Sequence, residues 1–326
     1  MDSRAAPARS PIVRGHRTGD RFRHEALIYG DDYEFLAAAH PFVADALAGA
    51  EPVLVAIAGE RAQSLKGSLG GDAGEAHFTD MQALGRNPAR LIPAWRRFLS
   101  EHAQDGRSVR ILSEAAWPGR SPAELSECRR YESLLDLAFG QGQAWRLLCG
   151  YDARAMPEEV IETVRATHPF IREGAASTLN DVHLDDLVPR PFDGVLPEPS
   201  RAPEELGFTR GNLHELREFV GRSASAARVG AERGENLQLA VNELASNSVT
   251  HGGGEGRLRV WTEPGALVCE VSDSGHIEEP LVGRVHPAID KPSGRGLWLV
   301  NHLCDLVQIR SSPQGSVVRV YMLVAD

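Results

Sequence analysis

The sequence predicts an α/β lobe built on a parallel sheet, followed by an α+β lobe with its helices and strands in another order. Three observations carry this. From His24 onward, short apolar strands alternate with amphipathic helices, the rhythm of a sheet covered on both faces. A proline-rich stretch at 189–205, with Pro189, Pro191, Pro197, Pro199 and Pro203, cannot continue as a long helix and divides the chain. Beyond it the order changes to helix, strand, helix and two closing strands. At 326 residues two domains are the default, each long enough to bury its own core.

Taken in order, residues 1–22 hold Pro, Gly, Arg and Ser with scarcely an apolar run, and read as a disordered tail. No apolar core follows the basic residues, so the tail does not read as a signal peptide. The first lobe, 23–188, then gives strands at 25–30, 52–58, 109–113 and 144–151, with helices at 31–48, 89–104 and 122–139. His24, Glu25, Asp31, Asp32, Tyr33, Glu114, Trp117 and Arg120 fall at strand ends, where open α/β sheets form binding crevices. Glu114 and Trp117, just past the 109–113 strand, together with Arg120, are the best candidates for a sensory pocket. The plainer alternative packs Trp117 over the sheet edge and pairs Arg120 with Glu114. His168-Pro169 reads as a helix stop, and no His/Cys group has the sequence spacing of a metal site.

The second lobe, 206–326, opens on a short amphipathic helix at 212–221, whose apolar residues from Leu213 to Val220 are a candidate homodimer contact. A longer helix follows. It places Glu243, Asn247 and His251 one turn apart on one face, beside a buried stripe of Leu237, Ala240, Val241 and Leu244. It stops at three consecutive glycines, 252–254. A line of carboxylate, amide and imidazole is not needed for packing, and it suits a site that holds a metal-bound phosphate. The strand at 267–271 delivers Asp273-Ser274-Gly275; Ser293-Gly294-Arg295-Gly296 opens an apolar helix; 306–310 and 317–324 close the lobe as strands.

E-x-x-x-N on a helix, D-x-G at a strand end and G-x-G opening a helix, in that order, resemble the GHKL ATPase fold, the Bergerat α/β sandwich, over roughly 205–326. The resemblance implies ATP and Mg2+ as cofactors. It implies that Asn247 coordinates the Mg2+ that bridges the phosphates, a hard cation taking a neutral amide oxygen. Glu243 would act as general base or orient the attacking group. Asp273 would accept from the adenine amino group, with Gly275 letting the ring approach. Gly294 and Gly296 would let the chain close over the phosphates at a helix N-terminus, and Arg295 would add a charge-assisted contact. Ser248 and His251 extend the same helix. Two departures bear on nucleotide affinity: the second glycine of D-x-G-x-G is Ile277, and the 276–293 linker is shorter and more acidic than a usual ATP lid.

The first lobe carries a second resemblance. The run from His24 to Gly30, residues 47–55, and Trp117-Pro118-Gly119-Arg120 ahead of the 124–137 helix look like the MEDS sensory domain of methanogen and methylotroph regulators, whose layout is similar to a RecA-like ATPase. The turn Gly30-Asp31-Asp32-Tyr33-Glu34 lacks the glycines and lysine that cradle phosphates, and its aspartates would repel a triphosphate. Sensing of an unidentified small molecule, or partner binding, is therefore expected there rather than ATP hydrolysis.

A histidine autokinase needs a helical hairpin bearing its phospho-acceptor directly ahead of the ATPase. Here the proline-rich stretch occupies that place, and His214 reads as a satisfied or solvated helix residue. The short lid looks more like that of the anti-sigma-factor serine/threonine kinases. That resemblance implies a cytoplasmic bacterial regulator that binds a sigma factor and phosphorylates a Ser or Thr of an antagonist protein. Two alternatives stay open: a partner-binding module with weak or no ATP binding, and a sensor histidine kinase that borrows an acceptor. No apolar run approaches the roughly 20 residues of a membrane span. The formal charge of −10 argues against a general nucleic-acid binder. Cys128, Cys149, Cys269 and Cys304 are well separated and are expected to be reduced and buried.

Overall fold

Strands that read as unbroken apolar runs become the centre of a parallel sheet, because each of their faces must be covered. The computed structural model describes residues 22–103, 106–140, 144–181, 192–286 and 294–324. The expected disordered tail, apart from Phe22, the linker residues Pro189, Arg190 and Pro191, the end of the 89–104 helix, and Ser293 lie outside the described residues. The first lobe runs β1 (Arg23–Tyr29), α1 (Asp32–Ala48), β2 (Val53–Ile57), α2 (Gly59–Leu69), β3 (His77–Asp80), α3 (Met81–Leu84), α4 (Leu91–His102), β4 (Val109–Ser113), α5 (Pro122–Phe139), β5 (Trp145–Asp152), α6 (Glu158–Thr167), β6 (Phe170–Glu173) and β7 (Ala176–Leu179). The strand order is β3-β2-β4-β5-β1-β6-β7, parallel except for the final β6–β7 hairpin. Every residue of β2 and β4 is buried. One core lies under α1 and α2, with Phe35, Phe42 and Leu65; another lies under α4, α5 and α6, with Trp95, Tyr131 and Trp145.

Local chemistry sets the helix starts. Pro122 sits in the first turn of α5, and Ser121 with Glu124 forms a reciprocal capping box. Asp31 caps α1 by accepting from the Glu34 amide at 2.8 Å. The acidic turn after β1 is thus spent on capping, and Asp32 pairs with Arg61 at 3.0 Å. Two expectations need correcting. His24 and Glu25 lie within β1 and are buried, rather than at its end. Glu25 is ringed by Arg23, Arg146 and Arg172, at 3.1, 2.7 and 3.2 Å.

The second lobe runs β8 (Glu204–Thr209), α7 (Leu213–Ala226), α8 (Ala231–His251), β9 (Glu255–Glu263), β10 (Ala266–Asp273), α9 (Arg295–Leu303), β11 (Leu306–Ser312) and β12 (Gly315–Leu323). Its strands form an antiparallel sheet in the order β11-β12-β10-β9-β8. β8 starts inside the stretch read as linker. Alternation divides the two faces: Val260, Cys269, Val271, Val318 and Val320 meet Leu216, Val220, Leu237, Val241 and Val300 from the three helices. Leu216 and Val220, offered from sequence as a dimer contact, are spent in this core.

The other face of this sheet meets the first lobe through α5. Ala123 packs against a cluster of Trp261, Val268, Leu306 and Tyr321. Buried Glu127 accepts from Arg310 at 3.1 Å and lies 3.5 Å from Arg130 and 3.7 Å from Arg284. Three guanidiniums about one carboxylate leave excess positive charge, and burial together with Arg310 pulls Arg130 down to about 10. Nearby, Arg90 donates to the carbonyls of Asn301, His302 and Cys304 at 2.9, 2.9 and 2.7 Å, holding the C-terminal end of α9. Asn87 donates to Asn301 O at 2.9 Å. Among the described residues no helix is long and apolar enough to cross a membrane.

Candidate nucleotide site

Helical periodicity brings Glu243 and Asn247 onto one face of α8, and packing turns that face toward the first turn of α9. The proof is at Gly296. A Cβ added there would stand 3.1 Å from Glu243 Oε2, 3.1 Å from Asn247 Nδ2 and 3.5 Å from Asn247 Oδ1. Both polar heads therefore abut the first turn of α9, where backbone N–H groups have no intrahelical acceptor. Gly294 is the N-cap of that helix, with φ 93°, a left-handed conformation that glycine adopts without strain.

The far end of the site is built around Asp273, the last residue of β10. Its Oδ2 accepts from Ser248 at 2.6 Å; its Oδ1 accepts from Ser316 at 2.8 Å and from the Gly275 amide at 2.8 Å. An ionised carboxylate offers about four acceptor positions, so one remains for a ligand. Gly252, the C-cap of α8, lets the helix end approach this carboxylate: a Cβ there would lie 2.5 Å from Asp273 Cγ. Between the two ends lies a cavity of about 340 Å³, whose lining includes Asn247, Asp273, Gly275, Gly294 and Gly296, with apolar Leu244, Val271 and Val318. That size is within the usual range for small-molecule sites.

Of the residues named from sequence, Asn247, Asp273, Gly275, Gly294 and Gly296 thus meet at one cavity, and Glu243 stands at its α9 end. Arg295 is exposed and is not part of the lining. His251 is exposed at the rim. Ile277, standing where a glycine was expected, packs against the lobe's core, and its amide donates to Ser311 Oγ at 2.8 Å. The chain after D-x-G is therefore pinned to the sheet. It then leads to Arg284, which reaches Glu127 on α5. Ser316 and Gly252 were not singled out for this role, since their contacts with Asp273 are non-local.

In the first lobe the structure gives Glu114, Trp117 and Arg120 different partners. Glu114, buried at the end of β4, accepts from Tyr29 and pairs with Arg61 at 3.0 Å; Arg61 also reaches Asp152 at 2.6 Å. Burial raises the Glu114 pKa against the pull of Tyr29 and Arg61. Arg120 stacks 3.4 Å over the Trp117 ring, donates to the Ala115 carbonyl at 2.8 Å, and pairs with Glu124 rather than Glu114. The polar group at the strand ends is therefore Tyr29, Arg61, Glu114 and Asp152. Sequence reading missed Arg61 because it missed α2.

Two family models match separate parts of the chain. Residues 23–169 match the MEDS family, the methanogen/methylotroph, DcmR sensory domain, and residues 208–322 match the histidine kinase-like ATPase domain. No curated protein matches the chain. Among solved structures, it is similar to the RsbU and RsbW domains of a Mycobacterium tuberculosis protein, at 13% identity and a TM-score of 0.28, over 38% of this chain and 33% of that one. The chain thus spans about a third of that protein's length. It is also similar to the Acinetobacter baumannii histidine kinase AdeS, at 10% identity and TM-score 0.24, over 38% and 68% of the two chains. A third is the histidine kinase domain of the E. coli osmosensor EnvZ, at 19% identity and TM-score 0.24, over 40% and 94%.

Proposed function

We propose, from the matches of its first lobe to the MEDS sensory domain and of its second to the histidine kinase-like ATPase domain, that the chain is an ATP-dependent protein serine/threonine kinase of the anti-sigma type, whose phosphotransfer to an antagonist protein is set by its sensory lobe. The observation that carries the reading is the convergence of Glu243 and Asn247 on Gly296, at one end of a cavity whose other end is Asp273. Asn247 would hold Mg2+ on the phosphates, the first turn of α9 would receive the phosphate anions, and Asp273 would take the adenine amino group. Glu243 would accept or steer the hydroxyl proton of an incoming Ser or Thr. Such transfer rests on positioning and charge neutralisation rather than covalent chemistry. A sigma factor and its antagonist would be the protein partners, a small molecule the sensory ligand, and the cytoplasm the setting.

A serine/threonine acceptor is favoured over a histidine one by the segment ahead of α7. Among the described residues between α6 and α7 there are strands, extended chain and one short 3-10 turn at Arg210–Asn212, and no helical pair to present a phospho-acceptor. The non-catalytic reading draws on one specific observation, the core-anchored Ile277 in place of the motif's glycine.

The test uses the full chain with γ-labelled ATP, Mg2+ and cell extract. Acid-stable phosphoserine or phosphothreonine on a second protein, lost in Glu243→Ala while nucleotide binding persists, is the expected result. Acid-labile phosphohistidine on the chain itself, or no Mg-ATP binding by calorimetry, would overturn the proposal.

A further inference from the structure

Four polar side chains that the nucleotide site does not use converge inside the first lobe. His24 comes from β1, Cys149 from the neighbouring β5, Glu132 from α5, and His168 is the C-cap of α6. One ligand atom from each lies within 4.8 Å of all the others. Sequence spacing gave no hint of this, since the residues are 17 to 144 positions apart where they meet. His24, Cys149 and His168 are at least 96% buried.

Without an ion the cluster is joined by contacts of His24 and Cys149 with Glu132 and with each other, and its separations are close to those an ion would need. Four ligands around a tetrahedral zinc, at about 2.0–2.1 Å for nitrogen or oxygen and about 2.3 Å for sulfur, stand roughly 3.3–3.6 Å from one another. Here His24 Nε2 is 3.0 Å from Glu132 Oε2, and Cys149 Sγ is 3.5 Å from His24 Nε2. Both Cys149 Sγ and His168 Nε2 are 3.7 Å from Glu132 Oε2. The His168 nitrogen-to-oxygen distance of 3.7 Å is too long for a hydrogen bond and stands just outside the tetrahedral range, so a small inward shift of the ring would complete the shell.

The His168 tautomer points the same way. Its Nδ1 lies 3.0 Å from the Val164 carbonyl, which can only accept, so Nδ1 carries a proton. That is the outer-shell bond which fixes a metal-ligating imidazole and turns the other nitrogen inward. Charge balances as well. A thiolate and a carboxylate neutralise a dication, and two neutral imidazoles complete the shell, leaving no net charge in an apolar interior. A cavity of about 20 Å³, lined by Glu132, Tyr151, His168, Thr163 and Thr167, reaches the cluster and has room for about one water-sized species.

The geometry points to a buried metal site in the sensory lobe, in which His24, Glu132, Cys149 and His168 bind a divalent transition ion of the zinc type. A mixed nitrogen, sulfur and oxygen set selects such an ion over Mg2+ or Ca2+. The ion would tie β1 and β5 to α5 and the end of α6.

The experiment is performed on the full chain, freed of metal with a chelator, shown to be folded by circular dichroism, and titrated with Co2+ and then Zn2+. Stoichiometric binding should give the visible bands of tetrahedral cobalt and a near-ultraviolet thiolate-to-cobalt transition, both displaced by Zn2+. Cys149→Ser should lose the thiolate band, and His168→Gln should weaken the ion's affinity by tenfold or more. Absence of cobalt bands in the folded wild-type chain would overturn the site, as would a thiolate band that survives in Cys149→Ser. Should a variant fail to fold, the wild-type titration still decides. Nucleotide binding at the other lobe plays no part in this readout.

Discussion

Replacing Gly252 with alanine isolates the contribution of Asp273 to the nucleotide site. The backbone there, at φ −102° and ψ 20°, is open to alanine, so no conformational strain enters. The new Cβ would lie 2.5 Å from Asp273 Cγ and 2.7 Å from Oδ1. Carbon atoms in contact stand about 3.5–4.0 Å apart, so the carboxylate must move by about 1 Å. It cannot do so and keep its bonds of 2.6 and 2.8 Å to Ser248 and Ser316. Overpacking of this kind costs about 1–3 kcal/mol of stability. A hydrogen bond from a ligand to a charged group contributes about 1.5–3 kcal/mol, so losing it should weaken ADP binding by about 10- to 150-fold. Calorimetry on the full chain measures this. Gly67→Ala, whose Cβ would meet nothing within 4 Å, serves as the neutral control. Wild-type affinity in Gly252→Ala would refute the assignment of Asp273 to the base.

Asn247→Ala should abolish the Mg-dependent part of ATP binding and leave binding in the presence of EDTA little changed; equal loss in both conditions would remove the metal role. Glu127→Ala strands Arg284 and Arg310 in the lobe interface, and breaking a buried pair costs about 3–5 kcal/mol, so a melting temperature unmoved from wild type would contradict the contact. At Glu25, burial alone would raise the pKa, but the bond with Ser177 and the guanidiniums of Arg172 and Arg146 hold it below the ordinary 4.5. The stability it contributes is present above 4.5 and lost as pH falls through the folded-state value. Glu25→Gln should therefore flatten the acid limb of the first lobe's tryptophan-fluorescence transition, and an unchanged limb would count against it.

What could be read from the sequence was local. Pro122 behind Ser121 marked the start of α5, and the four-residue spacing of Glu243 and Asn247 set them on one face before any packing was known. α2 was missed because GERAQSLKGSL carries two glycines and only a thin apolar stripe. β9 was missed because its outward residues, Arg259 and Trp261, are held by contacts with Glu270 and Arg319 on other strands. β6 and β7 have four residues each, too few for alternation to register. The grip of Ser316 on Asp273 and the meeting of His24 with Glu132 depend on tertiary packing, which no window along the chain contains.

The shared carboxylate at Glu127 limits how freely evolution or engineering could recombine this protein. The sheet face that α5 covers carries Trp261, Tyr321, Gln308 and Arg310, all buried in the whole chain. A fragment cut at the proline-rich stretch would expose that apolar and cationic face to water and invite aggregation. A foreign sensory domain grafted onto the ATPase would have to bring a helix with an acidic residue at the position of Glu127. The two halves look modular in sequence, yet a single buried carboxylate makes each half's surface part of the other's interior.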